Sequence, residues 1–139
     1  PAVAVPEDGK SFRLIGGKQA IHTHTQTANS EPLMAITKQY GLERVWMNAQ
    51  RAEELGISDG DTVEVSNEQH TGKVQVKVTQ RINPDALYMP SHYGCSSKEE
   101  KTAYGVGLRQ MDYVPFRIEP GYGGICSQEA VVTVKKVGA

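Results

Sequence analysis

The densest run of polar side chains lies at residues 22–29, with the sequence HTHTQTAN. We call this run the polar loop. Its imidazole, hydroxyl and amide groups carry no full charge, yet they can hold a neutral polar ligand or phosphate oxygens through hydrogen bonds. The run therefore predicts a ligand-binding loop. The alternative, with about equal weight, is a loop whose side chains bond only to their own backbone.

Two histidines of the polar loop raise the question of a metal. His22 and His24 are two residues apart, which on a strand would place both imidazoles on one face. Together with His92 or Cys95 they could then seed a metal site. No carboxylate stands beside them in the sequence to orient the rings. We therefore favour hydrogen bonding to a ligand, or plain surface histidines, and predict no metal site.

A thiol and an imidazole also occur close together, in the segment His92-Tyr-Gly-Cys95. A thiolate beside an imidazole could act as a nucleophile, but no third group stands at a recognisable spacing to orient the ring. We expect Cys95 to pack in its loop or to pair with Cys126. Two cysteines alone cannot build a zinc ribbon or an iron–sulfur cluster. We predict no catalytic residue in the chain.

A long segment, residues 90–128, is rich in glycine, tyrosine and polar residues and shows no clean period. Loops of this length inside a domain are usually functional or ordered by a partner. Within it, Arg109, Tyr113 and Arg117 could touch an anionic or planar ligand, because arginine binds phosphate oxygens in pairs and tyrosine stacks. Surface or interdomain contacts are the alternative role for these side chains.

The elements that must position these groups are mostly strands. Alternating apolar residues predict strands at 12–15, 45–47, 62–66, 73–79, 86–89 and 130–136. One short helix begins at Glu31-Pro32 and ends at Gly41, and a second follows Asn48 as its cap and ends at Gly56. We expect Trp46 and Met47 to lie in the core. Many short strands with two helical inserts favour a closed β-barrel, because closure removes exposed strand edges.

Composition limits the kind of partner. The 139 residues carry 15 Lys and Arg against 16 Asp and Glu, a net charge of −1, so no basic field attracts nucleic acid. No apolar run approaches the roughly 20 residues of a membrane span, so we expect no direct membrane contact. The first ten residues, PAVAVPEDGK, lack a signal-peptide pattern and suggest a mature or excised fragment. We predict an extended lead-in at 1–11 and one domain at 12–139.

The motifs together resemble a known family. They follow the order of the molybdopterin dinucleotide-binding domain that ends the catalytic subunits of the dimethyl sulfoxide reductase superfamily, over nearly the whole chain from Phe12. The residues that carry the resemblance are Leu14-Ile-Gly16, His22-Thr-His24 with Thr27 and Asn29, Val45-Trp-Met-Asn48, Ala52, Leu55-Gly-Ile57, Asp59-Gly-Asp61-Thr-Val63 and Ile82-Asn-Pro84.

The resemblance implies a six-stranded double-psi β-barrel, mainly β with short helices. It also implies that the polar loop contacts the pterin and pyrophosphate of one of two molybdopterin guanine dinucleotides, with the molybdenum ligated outside this domain. Many members have an Asn followed by an apolar residue in the late contact, where this chain has Asp112-Tyr113. The implied cofactor-binding residues are His22, Thr23, His24, Thr25, Thr27, Asn29, Asp112, Tyr113 and Arg117.

Within the superfamily, the doubled His-Thr pair, the His92-Tyr-Gly segment and the glycine- and tyrosine-rich ending look most similar to polysulfide and thiosulfate reductases, followed by respiratory arsenate reductases. This implies a periplasmic oxidoreductase of anaerobic respiration, whose partners are the other domains of the same catalytic subunit, an iron–sulfur electron-transfer subunit and a membrane anchor subunit. The domain alone would be inactive. The alternatives are a stand-alone subunit of a formate or formylmethanofuran dehydrogenase and a double-psi barrel that binds protein.

Overall fold

A computed structural model describes residues 3–24 and 26–138. The six predicted strands are all present. They are β1 (Ser11–Gly17), β2 (Val45–Asn48), β3 (Thr62–Ser66), β4 (Thr71–Thr79), β5 (Ala86–Pro90) and β6 (Ala130–Lys136). The two predicted helices are α1 (Glu31–Tyr40) and α2 (Ala49–Glu54), and a 3₁₀ turn occupies Gln110–Tyr113. Neither α-helix in this part of the chain is long and apolar enough to cross a membrane.

The strands close into a barrel in the order β1-β5-β2-β4-β3-β6. Two neighbouring pairs are parallel, β1 with β5 and β2 with β4. The remaining pairs are antiparallel. In each parallel pair the chain leaves a strand, traverses other strands and returns beside the first one. The predicted six-stranded double-psi β-barrel is therefore confirmed.

Strand direction sorts the connections into two ends of the barrel. β1, β5 and β3 all finish at one end, because β5 is parallel to β1, and β6 is antiparallel to both β1 and β3. Residues 18–30, which follow β1, and residues 91–129, which lead from β5 to β6, therefore meet there. We call this the loop end. α2 and the turn at 80–85 lie at the opposite end.

Helix α1 begins and ends where the sequence predicts. Proline stands in its first turn, and Gly41 ends it with a left-handed φ of 59°. Its buried residues are Met34 and Thr37, whereas the apolar side chains of Ile36 and Tyr40 are exposed. Thr37 turns inward because its hydroxyl has polar partners beneath the helix. Apolar spacing alone could not identify a buried threonine.

The core fills the inside of the barrel with alternate residues of each strand. In β2, Val45 and Met47 point inward and are completely buried. The expectation that Trp46 also lies in the core is wrong, because alternation places it on the outer face. There its ring lies 5.1 Å from the ring of Tyr88, with the Lys77 ammonium 5.1 Å from its centre. Outside contacts therefore cover this indole.

The chain before β1 is anchored to the barrel. The Asp8 carboxylate accepts hydrogen bonds from the Ser11 backbone N–H and from the Ser11 hydroxyl, both at 2.7 Å. Because Ser11 opens β1, the first strand begins one residue before the predicted domain start. The division into 1–11 and 12–139 otherwise stays a prediction.

Tyr113 closes the barrel at the loop end. Its side chain is fully buried among the strands, and its hydroxyl donates to the Val65 carbonyl at 3.1 Å. The Asn67 side-chain amide holds the Tyr113 carbonyl at 2.7 Å, and the His70 ring packs edge-on against the phenol at 5.0 Å. One ring thereby fixes the segment 91–129 to the barrel. Burial raises the pKa of Tyr113 far above its usual value.

Replacing this ring should destabilise the fold strongly. We expect Tyr113→Ala to lower the free energy of unfolding by about 3–5 kcal/mol, because a large cavity opens in the core. Tyr113→Phe should lose only about 1 kcal/mol, the value of one hydrogen bond. Urea unfolding measures both values. The matched control is Tyr122→Ala, since Tyr122 is fully exposed; an equal loss there would contradict the role given to Tyr113.

Candidate functional site

Two adjacent strands, β1 and β5, end side by side, and a polar segment follows each of them. In the parallel register, Gly16 and Gly17 of β1 lie opposite Met89 and Pro90 of β5. The Ser91 N–H donates to the Gly17 carbonyl at 2.9 Å, which continues this pairing one residue further. The chain after β1 and the chain after β5 therefore leave the barrel side by side. The polar loop and the segment 91–95 meet for this reason.

A cavity of about 490 Å³ opens between these segments at the loop end. Its size lies within the range of small-molecule sites, about 300–1,000 Å³. Its wall combines the polar loop, the segment after β5 and a stretch of the long connection. The lining residues are Gln26, Ala28, Asn29, Ser91, His92, Tyr93, Cys95, Glu100, Ala103, Leu108, Arg109, Gln110 and Met111.

The wall of the cavity offers several kinds of chemistry. Arg109 supplies a guanidinium that is half exposed, and its nearest carboxylate, that of Asp112, is 3.8 Å away. Asn29 and Ser91 supply neutral hydrogen-bonding groups, and Leu108 adds an apolar surface. Such a wall suits a ligand with an anionic part, a polar part and a flat apolar part.

His22 lies beneath the wall instead of lining it. Only 4% of the residue is exposed, and both ring nitrogens have hydroxyl partners. Nδ1 is 3.1 Å from the Thr27 hydroxyl and Nε2 is 2.8 Å from the Thr37 hydroxyl. The ring of Tyr93 packs edge-on against the imidazole at 5.4 Å. Burial lowers the pKa of His22, and the Thr27 backbone opposes this shift in part.

The other predicted residues of the polar loop divide between two roles. Thr27 serves the loop itself, since its hydroxyl also accepts from the Thr23 N–H at 2.9 Å. Thr23 and His24 are exposed, and His24 has a left-handed φ of 48°. The two histidines therefore do not share a strand face. Asn29 lines the cavity, and its amide oxygen accepts from the Thr102 N–H at 3.2 Å. Thr25 lies outside the described residues.

None of the predicted late contacts, Asp112, Tyr113 and Arg117, belongs to the cavity lining. Tyr113 lies in the core, so its ring does not offer the ligand contact expected from the sequence. Arg117 forms an ion pair with Glu129 at 2.8 Å and does not line the cavity. Asp112 is exposed near Arg109. Arg109 is therefore the member of this group that the structure brings to the cavity.

The described residues form neither a three-ligand metal group nor a disulfide. Among residues 3–24 and 26–138, no group of three His, Cys, Asp or Glu side chains could hold a metal ion. Cys95 and Cys126 are free thiols, so the considered pairing is not formed. Cys95 lines the cavity with its sulfur 3.9 Å from the Ser97 carbonyl.

Sequence reasoning did not place Ser91, Gln110 and Met111 in the site. The parallel register of β1 and β5 places Ser91 in the cavity wall, and no local sequence motif predicts that register. Gln110 is held in the cavity wall by a hydrogen bond, since its side-chain amide donates to the Ser127 carbonyl at 2.7 Å. One local signal was available in the sequence, because a glycine, Gly94, stands four residues after the end of β5, and in the structure it adopts a positive φ of 83°.

The geometry describes a barrel domain with a polar ligand cavity at one end, and the comparisons with known proteins agree with it. The sequence profile of the family described as "Molydopterin dinucleotide binding domain" matches residues 12–112. The chain belongs to this family, and the resemblance seen in the sequence is confirmed at this level.

Two relatives show how much of a longer protein the chain represents. It is 27% identical over 112 residues to "Thiosulfate reductase molybdopterin-containing subunit PhsA" of Salmonella typhimurium, covering 81% of this chain and 14% of that protein. The structure of "Acetylene Hydratase from Pelobacter acetylenicus" matches with a TM-score of 0.72 at 12% identity, covering 90% of this chain and 18% of that one. The second likeness shows the fold alone. The chain spans less than a fifth of either relative's length.

Gly94 should be required for the shape of the cavity. A Cβ on Gly94 would overlap the backbone nitrogen of Arg109, whereas a Cβ on Gly60, which has nearly the same φ, would meet nothing within 4 Å. We expect Gly60→Ala to cost about 1–2 kcal/mol of stability from backbone strain alone. Gly94→Ala should cost more and should also shift the amide resonances of residues 108–111. If Gly94→Ala and Gly60→Ala had equal effects on urea unfolding and on these amide resonances, the close approach of Gly94 to the Arg109 backbone would be refuted.

Proposed function

We propose that this chain binds the nucleotide part of a molybdopterin guanine dinucleotide in the cavity at the loop end, as one domain of a molybdenum oxidoreductase. The observation that carries the proposal is the convergence of three chain segments on one cavity that holds Arg109 and neutral hydrogen-bonding groups. The family match over residues 12–112 supports a dinucleotide as the ligand.

The residues present fit such a group. A pyrophosphate is anionic, and the Arg109 guanidinium can bind two of its oxygens at once. Asn29 and Ser91 can add hydrogen bonds, and the Glu100 carboxylate can accept from N–H groups of a base. The apolar side chains of Leu108 and Met111 can cover a ring face. Each of these groups lines the same cavity.

The cofactor, when bound, supplies two-electron redox chemistry at its metal, while the protein contributes binding, orientation and electrostatics. We assign the ligands of that metal to parts of the enzyme outside this chain. The residues of this chain bind the distal nucleotide, exclude water from it and fix its direction. The identity of the metal as molybdenum and of the base as guanine belong to the proposal.

A narrower role is supported by the PhsA match. We propose that the whole enzyme is a thiosulfate or polysulfide reductase acting in the periplasm, since the chain is 27% identical to that subunit. The partners we propose are the other domains of its catalytic subunit, an iron–sulfur subunit and a membrane anchor. Phe116 and Tyr122 support contact with another domain, because they are 84% and 100% exposed on the long connection at the loop end.

A nucleotide titration tests the binding proposal directly. We expect GDP, which mimics the far end of the cofactor, to shift the amide resonances of residues 26–29, 91–95 and 100–111. Arg109→Ala should weaken binding about fivefold or more, since a partly exposed ion pair contributes about 1 kcal/mol.

The control is Arg81→Ala, which removes the same charge from an exposed residue at the opposite end of the barrel. Equal weakening by both variants would indicate unspecific attraction and refute a role for Arg109. Absence of shifts up to about 10 mM GDP, corresponding to an affinity weaker than roughly 3 kcal/mol, would overturn nucleotide binding by this chain.

A further inference from the structure

A chain of hydrogen bonds runs beneath the cavity from Leu42 to Thr23. The Gln19 amide nitrogen donates to the Leu42 carbonyl at 2.7 Å, which fixes the orientation of that amide. Its oxygen must then accept, and it receives the Tyr93 hydroxyl at 3.1 Å. Because the Tyr93 proton is used there, the Thr37 hydroxyl donates to the Tyr93 oxygen across 3.2 Å.

This direction fixes the protonation of His22. The Thr37 hydroxyl has already given its proton to Tyr93, so it accepts from Nε2–H of His22 at 2.8 Å. Nδ1 then carries no proton and accepts from the Thr27 hydroxyl at 3.1 Å. The Thr27 oxygen in turn accepts from the Thr23 N–H at 2.9 Å. With these directions, each hydrogen bond of the network has one donor and one acceptor when His22 is neutral with its proton on Nε2.

The network ties two of the three segments that line the cavity, the polar loop and the segment after β5, to helix α1. His22 and Thr27 belong to the polar loop, Thr37 to α1 and Tyr93 to the segment after β5. Tyr93 itself lines the cavity. Thr37 is completely buried, and Tyr93 and His22 are nearly so. Breaking one link would leave a buried polar group without its partner, which is costly.

We infer that His22, as its neutral Nε2–H tautomer, is a positioning residue that holds the polar loop and Tyr93 in the shape that binds ligand, and that its protonation loosens this wall. The inference deepens the proposed function, on which its ligand-binding part rests. His22 does not touch the ligand in this role. It differs from the direct contact that the sequence implies for His22.

The surroundings disfavour a charged His22. From the segment after β5, the rings of His92 and Tyr93 face it, the former with ring centres 6.3 Å apart. Thr37 is the group facing it from α1. The Thr27 backbone, in the same loop, favours the charged ring, but burial is the larger influence on the pKa of His22 and lowers it. His24 and Lys18, on its own connection, act with His22 to lower the pKa of His92, although burial is the larger cause there. In the described part of the chain, no carboxylate forms an ion pair with His22.

The sign of the pH effect follows from these shifts. Burial lowers the pKa of both His22 and His92 from the ordinary value of 6.5. The unfolded chain therefore takes up protons at a higher pH than the folded chain does. The stabilisation is complete above pH 6.5 and decreases as pH falls below it toward the folded-state values.

Long-range ¹H–¹⁵N NMR of the whole chain tests the tautomer. At about pH 8 we expect His22 to be neutral with its proton on Nε2, and on acidification its midpoint should lie below that of an unperturbed histidine. A proton on Nδ1, or a midpoint at or above the ordinary value, would overturn the inference.

Variants test the positioning role. Thr37→Val removes the acceptor of Nε2–H at nearly constant shape, and Thr37→Ser restores it. We expect Thr37→Val to change the His22 nitrogen shifts and to weaken GDP binding about tenfold, equivalent to about 1.4 kcal/mol. Thr37→Ser should recover both properties. Equal binding by Thr37→Val and the unchanged chain would refute positioning.

His22→Phe and His22→Gln separate shape from hydrogen bonding. Both remove the titrating ring, so the stability measured by urea should lose part of its decrease below pH 6.5. His22→Gln, which keeps an N–H donor, should retain more GDP affinity than His22→Phe. An unchanged pH dependence in both variants would contradict the inference.

If GDP binds no form of the chain, the proposed function fails. The His22 tautomer measured by NMR and the pH dependence of stability then still test the hydrogen-bond network by themselves.

Discussion

The parallel pairing of β1 with β5 is the constraint on which the rest of the site depends. It places the ends of two strands, far apart in sequence, next to each other, with Gly17 opposite Pro90. The chain that follows each strand must then leave at the same end of the barrel. Barrel closure makes this arrangement rigid, because every strand has a neighbour on both sides and cannot slide without breaking two ladders.

Two buried side chains hold the loops of this backbone arrangement in place around the cavity. Tyr113 anchors the long connection by entering the core, where its hydroxyl finds the Val65 carbonyl. His22 anchors the polar loop by joining the Thr27 hydroxyl of that loop to the Thr37 hydroxyl of α1. Both residues were expected to touch a ligand, and both are buried instead. Their role is to fix the two connections to the barrel and to α1.

The polar loop shows why its two interpretations did not exclude each other. The Thr27 hydroxyl accepts from the Thr23 N–H of the same loop, as the self-bonded alternative requires, while His22 bonds to side-chain hydroxyls of Thr27 and of Thr37 in α1. Asn29 and Gln26 line the cavity, as the ligand-binding interpretation requires. Different members of one polar run thus face the inside and the outside of the same wall. The inner members keep the outer ones in place.

Local sequence determined the strands, the two helices with their Gly41 and Asn48 boundaries, and the family resemblance, because alternation, caps and turns act between near neighbours. It also found the polar loop. Tertiary structure alone decided that Trp46 lies outside the barrel, that Thr37 is buried and that Arg109 reaches the cavity while Arg117 pairs with Glu129. Those outcomes depend on strand register and on contacts between residues far apart in the chain, which periodicity does not encode.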